Sequence, residues 1–72
     1  MMDRIPVSSS NIASVGYDPL SSILEIEFNN GSIYQYSEVP EHVYIGLVNA
    51  SSKGKYLDQN IKKQGYPYTQ VR

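Results

Sequence analysis

The chain has 72 residues, with seven acids against six bases, a formal net charge of −1 and no cysteine. That is room for one small domain, burying only about 60% of the surface its unfolded form exposes, and it excludes disulfides and thiolate metal sites. No run reaches the roughly 18 apolar residues of a membrane span. Met1-Met2-Asp3-Arg4 is not followed by the apolar run of a signal peptide, so a cytoplasmic chain is expected.

Residues 1–10 end in Ser8-Ser9-Ser10 and read as a flexible lead-in to a single domain over 11–72. Ile12, Val15 and Tyr17 suggest a first strand that stops at Asp18-Pro19, because proline cannot donate to a ladder. The clearest strand is Ile23 to Phe28, where Leu24, Ile26 and Phe28 alternate with Glu25 and Glu27. Asn29-Asn30-Gly31 then signals a hairpin into Ser32–Ser37. A two-residue turn would place Tyr34 and Tyr36 on the acidic face. A three-residue loop with left-handed Gly31 sets Ile26 opposite Tyr34 and Leu24 opposite Tyr36, and only this register gathers the apolar residues on one side.

Helical signals begin at Pro40 and Glu41, which suit a helix start. Val43, Tyr44, Leu47 and Val48 form one apolar stripe. Ser52 is expected to cap a second helix carrying Tyr56, Leu57 and Ile61, with Lys62 and Lys63 in its last turn and Gly65 as a left-handed stop. Gly54 weakens that helix by roughly 1 kcal/mol relative to alanine. The tail from Tyr66 to Arg72 is compatible with an extended segment that Pro67 confines to an edge. The expected fold class is α+β: a three-stranded antiparallel β-meander followed by two short helices packed on one sheet face.

These residues resemble the KTSC domain, a short family found at the C-terminus of some lysyl-tRNA synthetases and as stand-alone bacterial or phage proteins. The resemblance runs from Ser9-Ser10-Asn11-Ile12 and Val15-Gly16-Tyr17-Asp18 through Leu24-Glu25-Ile26-Glu27-Phe28, Gly31 and the central Tyr34-Gln35-Tyr36 to Val39-Pro40. It ends with Ala50-Ser51-Ser52-Lys53-Gly54-Lys55-Tyr56 and Ile61-Lys62. The order and spacing of these pieces carry it, and the synthetase context implies RNA binding.

Charge is unevenly spread. Residues 1–42 hold six acids against Arg4 alone, and residues 43–72 hold Lys53, Lys55, Lys62, Lys63 and Arg72 against Asp58 alone. Either the basic half marks an anion-binding end or acidic strands offset a basic helix. Ser52-Lys53-Gly54-Lys55-Tyr56 at a helix start could cradle a phosphate with free N–H groups and ammonium charge, with Lys62, Lys63 and Arg72 extending the patch. The plainer alternative is a serine cap with solvated lysines. Tyr34 and Tyr36 could stack unpaired bases or fill the core beside Leu24 and Ile26.

His42 is the only histidine and has no recognisable catalytic or metal-ligating companions. Glu25 and Glu27 read best as solvated strand positions. No cofactor is implied. The sequence therefore points to a binding module and not an enzyme. RNA is the leading partner, and a protein partner on an exposed strand edge is the alternative.

Overall fold

The computed structural model describes residues 3–72. Its elements are β1 (Ile5–Pro6), β2 (Ile12–Asp18), β3 (Ile23–Phe28), β4 (Ile33–Tyr36), α1 (Glu41–Asn49), α2 (Lys53–Asn60), a 3₁₀ turn (Lys62–Gln64) and β5 (Tyr68–Gln70). The strands form one antiparallel sheet in the order β1-β2-β3-β4-β5, with both helices between β4 and β5. The α+β class is as expected, but the sheet has five strands where three were read. The two additional strands are too short for period-two alternation to reveal them. β1 lies within the segment read as a lead-in, whereas β5 falls in the tail whose extended, edge-lying conformation was expected, and its pairing makes it a strand of the sheet.

The β3–β4 hairpin adopts the expected register, Leu24 opposite Tyr36 and Ile26 opposite Tyr34. Phe28 N–H donates to Ser32 O and Gly31 N–H to Phe28 O, closing the three-residue loop with Gly31 at φ +92°. A register irregularity between Ile12 and Ser14 solves a problem the β2 sequence poses. Ile12 and Val15 are an odd number of residues apart and would face opposite sides of a regular strand. The bulge turns both inward, where each is fully buried.

The inward face of β2, β3 and β4 packs under α1 and α2 around Ile12, Val15, Leu24, Ile26, Leu47 and Ile61. Val43 and Leu47 supply α1's buried stripe and Leu57 that of α2. The two helices meet closely at Gly46. A Cβ there would lie 2.1 Å from the Tyr56 hydroxyl, so any larger residue would displace the Tyr56 ring. Tyr44 stacks on Tyr17 at 5.2 Å, and the Tyr17 hydroxyl donates to Val39 O at 2.5 Å.

The opposite sheet face is polar and neutralised. Arg4 Nε donates to Ser14 Oγ at 2.9 Å, and its guanidinium pairs with Glu25 and, at 3.9 Å, with Glu27. Gln35 Nε2 donates to Glu25 Oε1 at 2.8 Å. Arg72 reaches Glu27 at 3.4 Å. Glu25 is therefore not the solvated position expected of it, being only 5% exposed. The chain crosses this face at Gly16, where a Cβ would lie 2.5 Å from Asp3 O. Arg4 thus adds side-chain contacts on the polar face to the pairing of β1 with β2.

Removing one partner of a buried pair strands the other. Arg4→Ala is expected to destabilise the domain by about 3 kcal/mol, read by urea unfolding, and Arg4→Lys, which cannot reproduce the fork, should recover only part of this. A second prediction concerns the β2–β3 turn. The Asp18 carboxylate accepts from the Ser21 hydroxyl at 2.8 Å and from Leu20 N–H at 3.0 Å. These bonds hold its pKa below the ordinary 3.8, the Ser21 bond foremost. A depressed carboxylate contributes stability above its unfolded pKa and loses it as pH falls through the folded one. The stability advantage of wild type over Asp18→Ala should thus be full at neutral pH and shrink below pH 3.8, as followed by thermal melts.

Candidate nucleic-acid interface

The structure disperses the basic residues that the sequence groups together. Lys53 Nζ donates to Ala50 O at 3.0 Å, covering a carbonyl at the end of α1. Ser52 occupies the N-cap position of α2 but makes no side-chain cap bond. Tyr56 is wedged against Gly46 and is only partly exposed. Lys62 and Lys63 do not form the last turn of α2. The helix ends at Asn60, Ile61 dives into the core, and both lysines belong to the 3₁₀ turn that follows. Lys63 lies 3.8 Å from Asp58, and Arg72 is engaged on the polar face by Glu27 and Gly31 O. Gly65 does end this segment in the left-handed conformation, φ +78°.

A polar hollow of about 330 Å³ does form at the start of α2, where Ser51 to Lys55 face Ser8 to Asn11. Lys55 is exposed there. Among the described residues, neither Lys53, Lys55 nor Lys62 forms an ion pair. The acids of the front half do not neutralise them, because Glu25 and Glu27 are held on the other side of the sheet by arginines.

A stronger constellation lies on the helix-facing side of β4 and β5. α1 packs over the β2 side of the sheet, so it leaves the aromatic side chains of the far strands open at a rim. Phe28 and Tyr34 meet edge-on at 5.7 Å, Tyr34 and Tyr68 lie 6.0 Å apart, and Tyr36 and Tyr68 5.8 Å. The Tyr34 hydroxyl and Gln70 Oε1 are 3.2 Å apart, tying β5 to the platform. Tyr36 is only 4% exposed whereas Tyr68 is 65% exposed, so the rings run from core to solvent. Burial, reinforced by Tyr34 and Tyr68, raises the Tyr36 pKa above the ordinary tyrosine value.

Lys62 stands over this strip with Nζ 5.4 Å from the Phe28 ring centre. Such an exposed cation–π contact is worth about 0.5–1 kcal/mol, enough to place the ammonium and weak enough to release it. Lys62 lines a hollow of about 460 Å³ with Phe28, Tyr34, Asn30, Ser32, Ser10 and Asn11. It also lines one of about 440 Å³ with Tyr36, Gly65, Tyr66 and Tyr68. Ser10 and Asn11 border both the first of these and the hollow at α2. The Tyr34-Gln35-Tyr36 motif divides its roles: Tyr36 is core, and Tyr34 is half core and half platform. Phe28, Tyr66 and Tyr68 were not among the residues singled out. Tyr66-Pro67-Tyr68 beyond the glycine stop was the available signal.

The family model described as the KTSC domain matches residues 8–66. The chain belongs to the KTSC domain family. A KTSC domain protein of Yersinia pestis, known from a crystal structure, superposes with a TM-score of 0.90 at 42% identity over all of both chains. An uncharacterized protein of Stutzerimonas stutzeri is 41% identical over 97% of this chain and 99% of its own length. A lysine–tRNA ligase of a Nostoc species is 44% identical over 86% of this chain, which corresponds to 11% of the ligase. The KTSC match stops before β5, so Tyr68 lies outside the matched segment. Among the described residues, no group of three or more His, Cys, Asp or Glu could hold a metal, and no helix is long and apolar enough to cross a membrane.

The two ends of the aromatic strip should behave differently on truncation. Tyr36→Ala is expected to cost about 3–4 kcal/mol, as for other large buried rings. Tyr68→Ala should cost under about 1 kcal/mol because its ring is largely solvated. Urea unfolding of the two variants measures the difference.

Proposed function

We propose that this KTSC domain is a small non-catalytic RNA-binding domain whose contact surface is the aromatic groove around Lys62. The observation that carries the reading is the placement of an unpaired ammonium over a strip of partly open aromatic rings. Aromatic rings accept the faces of bases at about 1–3 kcal/mol each, and an ammonium without a carboxylate partner attracts the phosphates between them. Segregation of charge supports it: the strand carboxylates are paired on the far face, so they do not oppose an anion at the groove. Lys55 and the polar hollow at α2 would prolong the phosphate path. The occurrence of related segments in three lysine–tRNA ligases agrees with it, since those proteins are named for action on a tRNA.

A partner strand on the sheet edge is less well supported. β1 offers two residues, one of them Pro6, which has no N–H to donate, and β5 offers three. Short edges with proline are how sheets avoid strand addition.

Binding of a tRNA transcript followed by fluorescence anisotropy tests the proposal. Affinity should fall steeply between low and moderate salt as counterions are released. Lys62→Ala should weaken binding and reduce the slope of log affinity against log salt by about one. No binding at low salt, or binding indifferent to salt, would overturn the RNA reading.

A further inference from the structure

The two hollows beside Lys62 have only that residue in common. Each includes aromatic rings: Phe28 and Tyr34 among mostly polar residues in the first, and Tyr36, Tyr66 and Tyr68 in the second. Their volumes, about 460 and 440 Å³, lie in the range of clefts that enclose small ligands. One cation shared by two recesses that both contain aromatic rings matches a dinucleotide step, in which one phosphate joins two bases. We propose, building on the RNA-binding reading, that the groove selects single-stranded RNA and seats two consecutive unpaired bases, one in each hollow lined by Lys62, with its ammonium on the phosphate between them.

Recession of Tyr34 and Tyr36, behind the exposed ring of Tyr68, is what imposes the single strand. Tyr36 is buried at the floor, and Tyr34 is partly covered. A base inside a duplex shows its neighbours both faces and the groove only its edge, so it cannot stack on a recessed ring. A splayed base can enter. Lys62 is suited to the central place because an ammonium is a compact point charge on a flexible stem, and its resting partner is a ring face and not a carboxylate. Charge complementarity also selects the occupant: an apolar peptide would leave the Lys62 ammonium without a counter-charge.

The second seat depends on β5. Tyr68 reaches the groove because β5 pairs with β4 and sets it opposite Tyr36. Of the residues that line the second seat, Tyr36, Lys62, Gly65 and Tyr66 lie within the matched segment and Tyr68 follows it. The first seat, made by Phe28 and Tyr34, lies within the matched residues.

NMR titration of the folded chain with uridine monophosphate, the dinucleotide UpU, a short oligouridylate and a blunt RNA duplex tests the arrangement. UpU should bind about tenfold or more tighter than the mononucleotide, as a second stacked base predicts. It should shift the ring signals of Tyr34, Tyr66 and Tyr68, while the duplex leaves them in place. Tyr68→Ala, which retains the core, should bring UpU down to mononucleotide affinity. UpU binding no tighter than the mononucleotide, or a duplex that binds as well as the single strand and moves the same rings, overturns the two-seat arrangement. If tRNA binds with shifts at Tyr34 and Lys62 but UpU gains nothing over the mononucleotide, the groove reading stands and this inference falls; shifts confined to Lys53 and Lys55 would leave RNA binding in place but remove both the groove as its surface and the two seats. If no nucleic acid binds, both fall.

Discussion

The pairing of Ile26 with Tyr34 in the central hairpin is the constraint on which the rest of the molecule depends. Side chains alternate along a strand, so a slip of one residue would exchange the two faces of the sheet. In the observed register Leu24, Ile26, Phe28, Tyr34 and Tyr36 share a face, and Glu25, Glu27 and Gln35 share the other. The helices can then bury one face while arginines neutralise the other. Three residues, Asn29 to Gly31, hold this register, and Gly31 supplies a positive φ that most side chains would resist.

From that register the groove follows as a geometric remainder. Two helices of nine and eight residues are too small to roof a five-stranded sheet, and α1 lies toward β2. Rings on β4 and β5 that would otherwise be core are left partly open. The chain leaves α2 at Asn60, buries Ile61 and returns through the 3₁₀ turn, which carries Lys62 across the open rings. The site thus arises where core formation is incomplete, a natural place for binding in a domain of this size.

Electrostatics act by separation and not by accumulation. The basic half of the sequence does not form a cluster: Lys53, Lys63 and Arg72 each find a protein partner. The acidic half matters equally, since Arg4 and Arg72 confine its strand carboxylates to the face remote from the groove. One ammonium whose two hollows are lined by no carboxylate can guide an anion without a high net charge.

Much of this was legible in the residues themselves. The alternation of Leu24-Glu25-Ile26-Glu27-Phe28, the Asn-Asn-Gly loop and the apolar stripe of Val43 and Leu47 determined the class, the central register and the helix order, because each is a local periodicity or a local backbone requirement. The order and spacing of the short motifs sufficed to indicate the family. The rest was decided by contacts distant in sequence. β1 and β5 hold only through pairing with strands already formed, the bulge beside Ile12 answers to the core and not to its neighbours, and the α2 lysines part company because Ile61 is drawn inward. Sequence order grouped Lys53, Lys55, Lys62 and Lys63 by proximity along the chain. Only the tertiary fold could set Lys62 beside Phe28 and bring Tyr68 back to Tyr36, since packing joins residues by the faces they bury and not by their separation in sequence.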